Sequence, residues 1–206
     1  MTRTEAEKIA RRYLEGPRLE HSFSVASLAD SMGDSFGLDR DALYIAGALH
    51  DIAKPMDHAR QRELALRWHQ THPGSGWSET PALWHASAAA ALLTDEYGLD
   101  DGRILQAILR HTTGTCGMTR FDECLYAADF LDPVRVFEGQ VLVWPLVERD
   151  FDAGLLEMCR QTIRSVLERG LNLDQASVGY YNELVGRLSD PGRLPRAFIY
   201  QGAAHV

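Results

Sequence analysis

The chain has 206 residues, of which 45% are hydrophobic and 24% charged, and a formal net charge of −8 at pH 7. These values are typical of a globular protein with one domain or at most two small ones, and the negative charge argues against a broad basic face for nucleic acid or anionic lipid. No apolar run approaches the ~20 residues that a membrane-spanning helix needs, and the N-terminus lacks the apolar core of a secretory signal. The three cysteines form no CxxC pair, which indicates a reducing compartment, so we expect a cytoplasmic protein.

Helical patterns follow one another from the N-terminus, because apolar residues recur three or four positions apart. We predict helices at residues 1–16, 19–37, 39–54, 80–98, 100–114 and 119–133, and further on at about 146–169 and 174–188. Thr119 is expected to begin one helix, Gly98 to cap another, and Pro55 to end a third. Only residues 139–144 are compatible with a strand, and residues 72–81 are predicted to form a loop. The sequence therefore predicts an all-α protein.

Six polar side chains interrupt the apolar faces of five of these helices. His50, for example, continues the face formed by Leu43, Ala46 and Gly47, with Asp51 directly beside it. The full set is His21, His50, Asp51, His85, His111 and Asp129. One such histidine is usually a hydrogen-bonded core residue, and one inward aspartate is usually a helix cap or an ion-pair partner. Six of them in one bundle need compensation, since burying unpaired carboxylates costs several kcal/mol.

A metal centre is the partner that satisfies imidazole and carboxylate groups together. Histidine nitrogens and carboxylate oxygens without thiolates suit iron, manganese, cobalt or zinc, and they do not resemble a purely structural zinc site. Six ligands exceed what one tetrahedral ion needs. We therefore predict two ions, with the neighbours His50 and Asp51 giving one ligand to each.

The pattern H…HD…D, formed here by His21, His50-Asp51 and Asp129, resembles the signature of the HD-domain metal-dependent phosphohydrolases. The segments RLEHS, ALHDIAKP, LWHASAAA, HTTGTCGMT and YAADFLDPVR occur in the order and at about the spacing of the YqeK-type branch. The resemblance covers about residues 15–140, followed by C-terminal helices at about 145–190, and we expect a single domain over residues 1–206.

This resemblance implies an HD-domain helical bundle with two metal ions, iron first among them, held by all six polar side chains. It also implies symmetrical cleavage of diadenosine tetraphosphate, a small dinucleoside polyphosphate, to two ADP. Nucleic acid and membranes are not expected as partners. Near Ser177, Tyr181 and Asn182 the sequence departs from the family's usual pattern, so no role is assigned to these three residues.

Cations and small residues near the expected ligands suit a polyanionic substrate, because positive charge stabilises the charge that develops on phosphate oxygens. Metal ions can also lower the pKa of a bound water towards ~7. Lys54, one of only two lysines, follows His50 by one helical turn, and we assign catalytic roles to Asp51 and Lys54. The expected substrate contacts are Arg18, His21, Lys54, Thr112, Thr113, Gly114, Asp129 and Arg135.

Several alternatives stay open from the sequence. Arg18 and Arg135 could be ordinary surface ion-pair partners, and Thr112 could simply cap a helix. The same metals could serve another nucleotide phosphohydrolase or phosphodiesterase reaction, and a more distant alternative is a non-catalytic nucleotide-binding regulatory module. The sequence does not decide whether the protein forms a homodimer.

Overall fold

The computed structural model describes residues 1–73 and 78–200. Within these ranges the chain forms ten α-helices and one 3-10 helix, Pro81–Leu83, with no strand and no helix suited by length and apolarity to cross a membrane. The α-helices are α1 Arg3–Tyr13, α2 Gly16–Phe36, α3 Arg40–Leu49, α4 His58–Thr71, α5 Trp84–Tyr97, α6 Gly102–Arg110, α7 Arg120–Phe130, α8 Glu138–Val147, α9 Phe151–Glu168 and α10 Gln175–Leu188. The predicted all-α fold is confirmed.

Two predicted helix boundaries are confirmed by their capping geometry. The Thr119 hydroxyl accepts a hydrogen bond from the Asp122 N–H at 3.3 Å, and the Asp122 carboxylate accepts one from the Thr119 N–H at 2.9 Å. This reciprocal capping box begins α7. Gly98 ends α5 with a φ of 62°, a left-handed conformation that costs glycine little because it has no Cβ.

Helix α2 packs mainly on α3 and α7, while α3 also contacts α1 and α6. The close approach of α2 and α3 depends on Gly47, because a Cβ placed there would lie 2.6 Å from the Cα of Ala26. These two helices bring His21 on α2 next to His50, which follows the last residue of α3.

The candidate strand at residues 139–144 is wrong, because these residues lie in α8. The buried residues of α8 are Gln140, Val143, Trp144 and Val147, which follow the i, i+3, i+4, i+7 spacing of one helical face. A six-residue apolar run is too short to reveal this period. The longer segment through Val147 contains it.

Helix α4 is absent from the sequence predictions although its signals are present. Asp57 caps it by accepting a hydrogen bond from the Arg60 N–H, and Leu64 and Trp68 lie on its buried face. The predicted loop at residues 72–81 is irregular at residues 72–73 and 78–80, and it ends in the 3-10 helix; residues 74–77 lie outside the described residues.

Helix α3 ends at Leu49, so the prediction that it continues to Pro55 is wrong. Beyond Leu49 the chain forms tight turns in which a backbone N–H bonds to the carbonyl three residues earlier, as between Lys54 and Asp51 at 2.9 Å. His50 therefore occupies the C-cap, and Asp51 and Lys54 belong to a turn instead of a helix. This geometry brings Nζ of Lys54 to 3.0 Å from Oδ2 of Asp51.

The C-terminal helices join the rest of the molecule through α9, which packs on α7, α8 and α10. Arg187 on α10 lies 2.7 Å from the buried Glu123 of α7 and 3.2 Å from Asp152 of α9. One hydrophobic core extends from Ala6 to Phe198. A single domain over residues 1–206 stays a prediction, and this continuous core supports it.

Candidate metal centre

All six predicted metal ligands point into one site formed by five helices. The four histidines and Asp51 are almost completely buried, whereas the side chain of Asp129 is 22% exposed. His21 lies within α2, His50 and Asp51 follow α3, His85 lies in the first turn of α5, His111 follows α6, and Asp129 lies in the last turn of α7. The site therefore opens to solvent on the side of Asp129.

Asp129 lies between two of the imidazoles. Its Oδ1 is 3.0 Å from Nε2 of His21 and 3.6 Å from Nε2 of His50. The rings of His21 and His50 are in edge-to-face contact, with centroids 5.2 Å apart. These three residues form one half of the site.

Asp51 connects the other half. Its Oδ1 lies 3.5 Å from Nε2 of His85 and 3.7 Å from Nε2 of His111, while its Oδ2 lies 3.7 Å from Nε2 of His50. His50 is therefore adjacent to both carboxylates and joins the two halves. The structure brings together all six residues that the sequence indicated.

Each of the four imidazoles uses Nδ1 for a hydrogen bond away from the centre. Nδ1 of His50, His85 and His111 bonds to the backbone carbonyl three residues earlier, at 2.7, 2.9 and 2.7 Å. Nδ1 of His21 lies 2.6 Å from the carboxylate of Asp132. Because these oxygens accept hydrogen bonds, each Nδ1 carries a proton, and Nε2 is the ring nitrogen that faces the centre and can bind a cation there.

Burial and charge give these groups the protonation states that a cation requires. Burial lowers the pKa of His85 to about 4 and that of His111 to about 3, so both rings are neutral at pH 7. Burial opposes the ionisation of Asp51, but His50 and Lys54 outweigh it and hold the pKa of this carboxyl below its usual value. Neutral imidazoles beside an ionised carboxylate are ready to bind metal without first losing protons.

Without a cation, the centre contains uncompensated polar atoms. Among the described residues, Nε2 of His50 is buried and lacks a hydrogen-bond partner. Nε2 of His21 and Oδ2 of Asp51 are also buried, and each has one charged neighbour at 3.0 Å, Asp129 and Lys54 respectively. Nε2 of His85 and Nε2 of His111 lie 3.2 Å apart, where two lone pairs repel each other. A cation would remove both costs, so the residues present fit metal binding. Two groups could each hold an ion, namely His21, His50 and Asp129, and His50, Asp51 and His111, with ligand atoms within 4.8 Å of one another in each group.

Three basic side chains surround the opening of the site. Nζ of Lys54 lies 3.0 Å from Oδ2 of Asp51, and Nη1 of Arg18 lies 3.7 Å from the same atom. Nε of Arg135 lies 4.0 Å from Oδ2 of Asp132. The side chains of Lys54, Arg18 and Arg135 are 36%, 39% and 44% exposed, so each can also contact an anion that enters from solvent.

A basic cavity continues from Arg18 along the surface. It has a volume of about 440 Å³ and lies at the junction of α1 and α2. Arg11 and Arg12 line it together with Arg18 and with Pro55 from the turn after α3. The positive charge near the centre thus extends beyond the three residues at its opening.

Thr112 reaches the centre with its hydroxyl. Its Oγ1 lies 3.1 Å from Nε2 of His111 and 3.3 Å from Nε2 of His85. The hydroxyl is therefore within hydrogen-bond distance of two predicted ligands, a position that a helix-capping role alone does not require.

The next two residues have structural contacts. The carbonyl of Thr113 accepts a hydrogen bond from the Ser177 hydroxyl at 3.0 Å, which ties α10 to this turn. The N–H of Gly114, an expected substrate contact, donates to the carbonyl of Arg110 at 2.9 Å, so this N–H is not free to bind an anion. Gly114 has a φ of 64°, and a Cβ there would collide with the Tyr180 ring.

Asp132 contacts the centre although it is not among the predicted residues. It is fully buried, and besides His21 it accepts a hydrogen bond from the Val134 N–H at 3.0 Å. Burial lowers the pKa of His21, but its contacts with Asp129 and Asp132 outweigh this effect and raise the pKa above its usual value. The only sequence signal is an aspartate three residues after Asp129, which equally suits a helix terminus.

Comparison with known proteins agrees with this geometry. The family model for the HD domain matches residues 18–134. The chain is 31% identical to the symmetrical bis(5'-nucleosyl)-tetraphosphatase of Bacillus subtilis (strain 168), over 90% of this chain and 98% of that protein. It is 24% identical to the protein of the same name from Staphylococcus aureus (strain NCTC 8325 / PS 47), over 90% of this chain and 97% of the relative.

The fold is also similar to a solved structure. The crystal structure of a "predicted HD superfamily hydrolase involved in NAD metabolism" from Clostridium acetobutylicum matches with a TM-score of 0.81 and 26% sequence identity, over 91% of this chain and 98% of that chain. The family match spans more than half of the sequence and includes all six residues of the centre. The chain therefore belongs to the HD-domain family of metal-dependent hydrolases, and it is similar along most of its length to proteins named symmetrical bis(5'-nucleosyl)-tetraphosphatase.

Proposed function

We propose that this protein hydrolyses diadenosine tetraphosphate symmetrically and releases two molecules of ADP. The observation that carries the metal-dependent chemistry is the convergence of four buried Nε2 atoms with two carboxylates, which form two groups of ligand atoms within 4.8 Å of one another. The substrate follows from the names of relatives that align with nine-tenths of the chain. Basic side chains at the opening of the site support a polyanionic substrate.

The proposal includes two metal ions. The two candidate groups of ligand atoms share His50, which supports a pair of neighbouring sites. Iron is our first choice, and manganese, cobalt and zinc are alternatives, because the donors are imidazole and carboxylate without thiolate. Such ions, when bound, offset the charge of phosphate oxygens and acidify a water molecule.

The chain's own residues have separate tasks in this proposal. Hydrogen bonds at Nδ1 hold the imidazoles in the tautomer that binds metal, and Asp51 contributes negative charge between them. Lys54 exchanges its contact with Asp51 for a phosphate oxygen of the substrate, since its exposed ammonium lies at the opening. Arg18 and Arg135 bind further phosphate oxygens, for which the planar guanidinium is suited.

Product identification tests the reaction. The protein is purified anaerobically, its metals are measured, and it is incubated with diadenosine tetraphosphate. We expect bound metal, two ADP per substrate and loss of turnover after chelation. ATP plus AMP as products would contradict symmetrical cleavage, and turnover of other nucleotides alone would favour a different phosphohydrolase or phosphodiesterase. Nucleotide binding without hydrolysis of any of them would favour a regulatory module.

Matched variants separate metal binding from catalysis. His50→Ala should lose both metal and activity, whereas His58→Ala, at an exposed histidine on α4, should lose neither. Lys54→Ala should retain metal but lower kcat about 100-fold, in the range found for removing one group that stabilises a transition state. Lys8→Ala, the same change at the other lysine, should leave kcat unchanged. Full activity in both His50→Ala and Lys54→Ala would refute the proposal.

The proposal places this reaction in the cytoplasm, because all three cysteines are free, as is usual in a reducing compartment. Light scattering on the metal-loaded protein tests whether a homodimer forms. Neither nucleic acid nor a membrane has a part in the proposed reaction.

A further inference from the structure

A large cavity adjoins the metal centre. It has a volume of about 710 Å³, within the range of roughly 300–1,000 Å³ that is typical of small-molecule sites. Its walls come from the 3-10 helix before α5, the end of α7, helices α8 and α9, and the segment between α9 and α10. None of the six predicted metal ligands lines it, so it is a separate compartment beside them.

Two residues in the wall of this cavity directly follow predicted metal ligands in the sequence. Thr112, which lines the cavity, directly follows His111 and has its hydroxyl 3.1 Å from Nε2 of that residue. Phe130, also in the lining, directly follows Asp129. A ligand in the cavity therefore lies next to two elements of the centre.

The cavity wall is rich in apolar surface that solvent reaches. Phe130 and Phe137 both line it and are in edge-to-face contact, with centroids 5.2 Å apart. Phe137, Leu142 and Leu171 are 43%, 62% and 42% exposed although they border a concave surface. Aromatic rings and aliphatic side chains in such a site are suited to contact the faces of a planar base.

The net charge of the wall favours a neutral occupant over phosphate. Four carboxylates and two guanidinium groups line the cavity, so its wall has a formal charge of −2. The residues concerned are Glu138, Glu157, Glu168, Asp174, Arg164 and Arg169. The basic residues of the opening, Arg18, Lys54 and Arg135, are not part of this wall. A neutral group fits here, whereas polyphosphate fits the basic side of the centre.

We propose that this cavity binds one nucleoside of the dinucleotide substrate, with its base against the Phe130–Phe137 pair and its phosphates directed past Thr112 towards the metals. This inference rests on the proposed function and names the binding site of one half of the substrate. Apolar contacts that are equal in the ground state and the transition state lower KM without changing kcat.

The first test compares two exposed aliphatic residues of α8. Leu142 lines the cavity and is 62% exposed, whereas its neighbour Val141 is 65% exposed and does not line it. We expect Leu142→Ala to raise KM for diadenosine tetraphosphate several-fold and Phe137→Ala to raise it about tenfold, the lower range for a lost base contact, with kcat within twofold. Val141→Ala should change neither constant.

The second test closes the cavity from α9. Ser165 lines it and is exposed, so Ser165→Trp places a large ring inside without disturbing the core. The control is Leu167→Trp, at a residue that is 60% exposed and outside the wall. Binding of adenosine, measured by NMR line broadening or calorimetry on the metal-loaded protein, should disappear in the first variant and persist in the second. Unchanged circular dichroism and melting temperature show that both variants fold.

The binding measurement separates failure of this inference from failure of the proposed function. If diadenosine tetraphosphate is not hydrolysed but adenosine binds and is lost in Ser165→Trp, the proposed reaction fails and the nucleoside site stands. If hydrolysis proceeds to two ADP while adenosine fails to bind, or binds equally to Ser165→Trp, Phe137→Ala and the unchanged protein, the nucleoside site is refuted and the reaction stands.

Discussion

Replacing Asp132 by asparagine changes one hydrogen-bonded oxygen at the edge of the metal centre. In the structure, one carboxylate oxygen of Asp132 accepts a hydrogen bond from Nδ1 of His21 at 2.6 Å, and the other accepts from the Val134 N–H at 3.0 Å. His21 and Asp132 are both fully buried, so water cannot replace either contact. The variant keeps the size of the side chain and removes its charge.

Asparagine has only one acceptor oxygen for these two donors. If that oxygen faces His21, the Val134 N–H meets an amide NH₂ and loses its partner. If the NH₂ faces His21, Nδ1 must accept, and the ring then carries its proton on Nε2, the atom 3.0 Å from Asp129 that should bind metal. The first orientation lowers stability, and the second removes the His21 tautomer that can bind metal.

The expected magnitudes follow from these two outcomes. Removing the partner of a metal-binding histidine lowers metal affinity about 10- to 100-fold, which corresponds to roughly 1.4–2.8 kcal/mol. Leaving a buried donor unsatisfied costs about 1–3 kcal/mol of unfolding free energy. We therefore expect Asp132→Asn to bind metal at least tenfold more weakly and, without metal, to be less stable than the unchanged protein.

Competition with a chelator of known affinity measures metal binding, and urea unfolding of the metal-free protein measures stability. The matched control is Asp152→Asn, which neutralises another buried carboxylate, one that pairs with Arg120 and Arg187 at the start of α9. It should lower stability and leave metal affinity unchanged. Metal affinity within twofold of the unchanged protein in Asp132→Asn would refute the positioning role of Asp132.

Two further predictions concern the folded state without metal. Gly47→Ala should lower the free energy of unfolding by about 1–3 kcal/mol, because its Cβ would lie 2.6 Å from the Cα of Ala26. A urea titration measures this change. An unchanged unfolding midpoint would show that α2 and α3 can separate at little cost. Burial lowers the pKa of His85 to about 4 and that of His111 to about 3, so the unfolded chain binds more protons below about pH 6.5 and acid destabilises the folded state. His21 has a raised pKa and contributes the opposite sign. Between pH 7 and pH 4, the free energy of unfolding of His111→Gln should therefore fall by roughly 2–3 kcal/mol less than that of the unchanged protein. An equal dependence of this free energy on pH in the two proteins would contradict the lowered pKa of His111.

The sequence was sufficient to predict the helical fold and the residues that meet at the centre, because both depend on local spacing. The four histidines each continue an apolar helical face, as His50 continues that of Gly47, and such a face must point inwards. Asp51 directly follows His50 in the turn after α3. The start of helix α7 is also determined by local sequence, since Thr119 and Asp122 form its capping box. The error at α8 has the same origin, because a short apolar run does not distinguish strand from helix.

What the sequence could not supply depends on distances between distant segments. Asp132 is 111 positions from His21, and only the folded chain shows that their side chains form a hydrogen bond. Lys54, from the turn after α3, and Arg18, from α2, likewise meet at Asp51. Gly114 shows the same limit: the sequence does not reveal that it packs against Tyr180 and that its N–H bonds to the carbonyl of Arg110.

Under these proposals, chemistry and recognition come from different parts of the chain. The six residues of the centre all lie within residues 18–134, whereas α8, α9 and the segment after α9 supply most of the wall of the nucleoside cavity. Exposed wall residues such as Leu142 and Ser165 contribute little to the core, so their replacement can change which base is accepted without changing the metals. The substrate is symmetrical, but its two halves would meet an acidic, apolar wall on one side of the metals and arginines on the other. The acidic wall should bind the nucleoside of one half, and the basic side should hold the phosphates of the other, so a dinucleotide with fewer phosphates should lose affinity mainly through contacts with Arg18 and its neighbours.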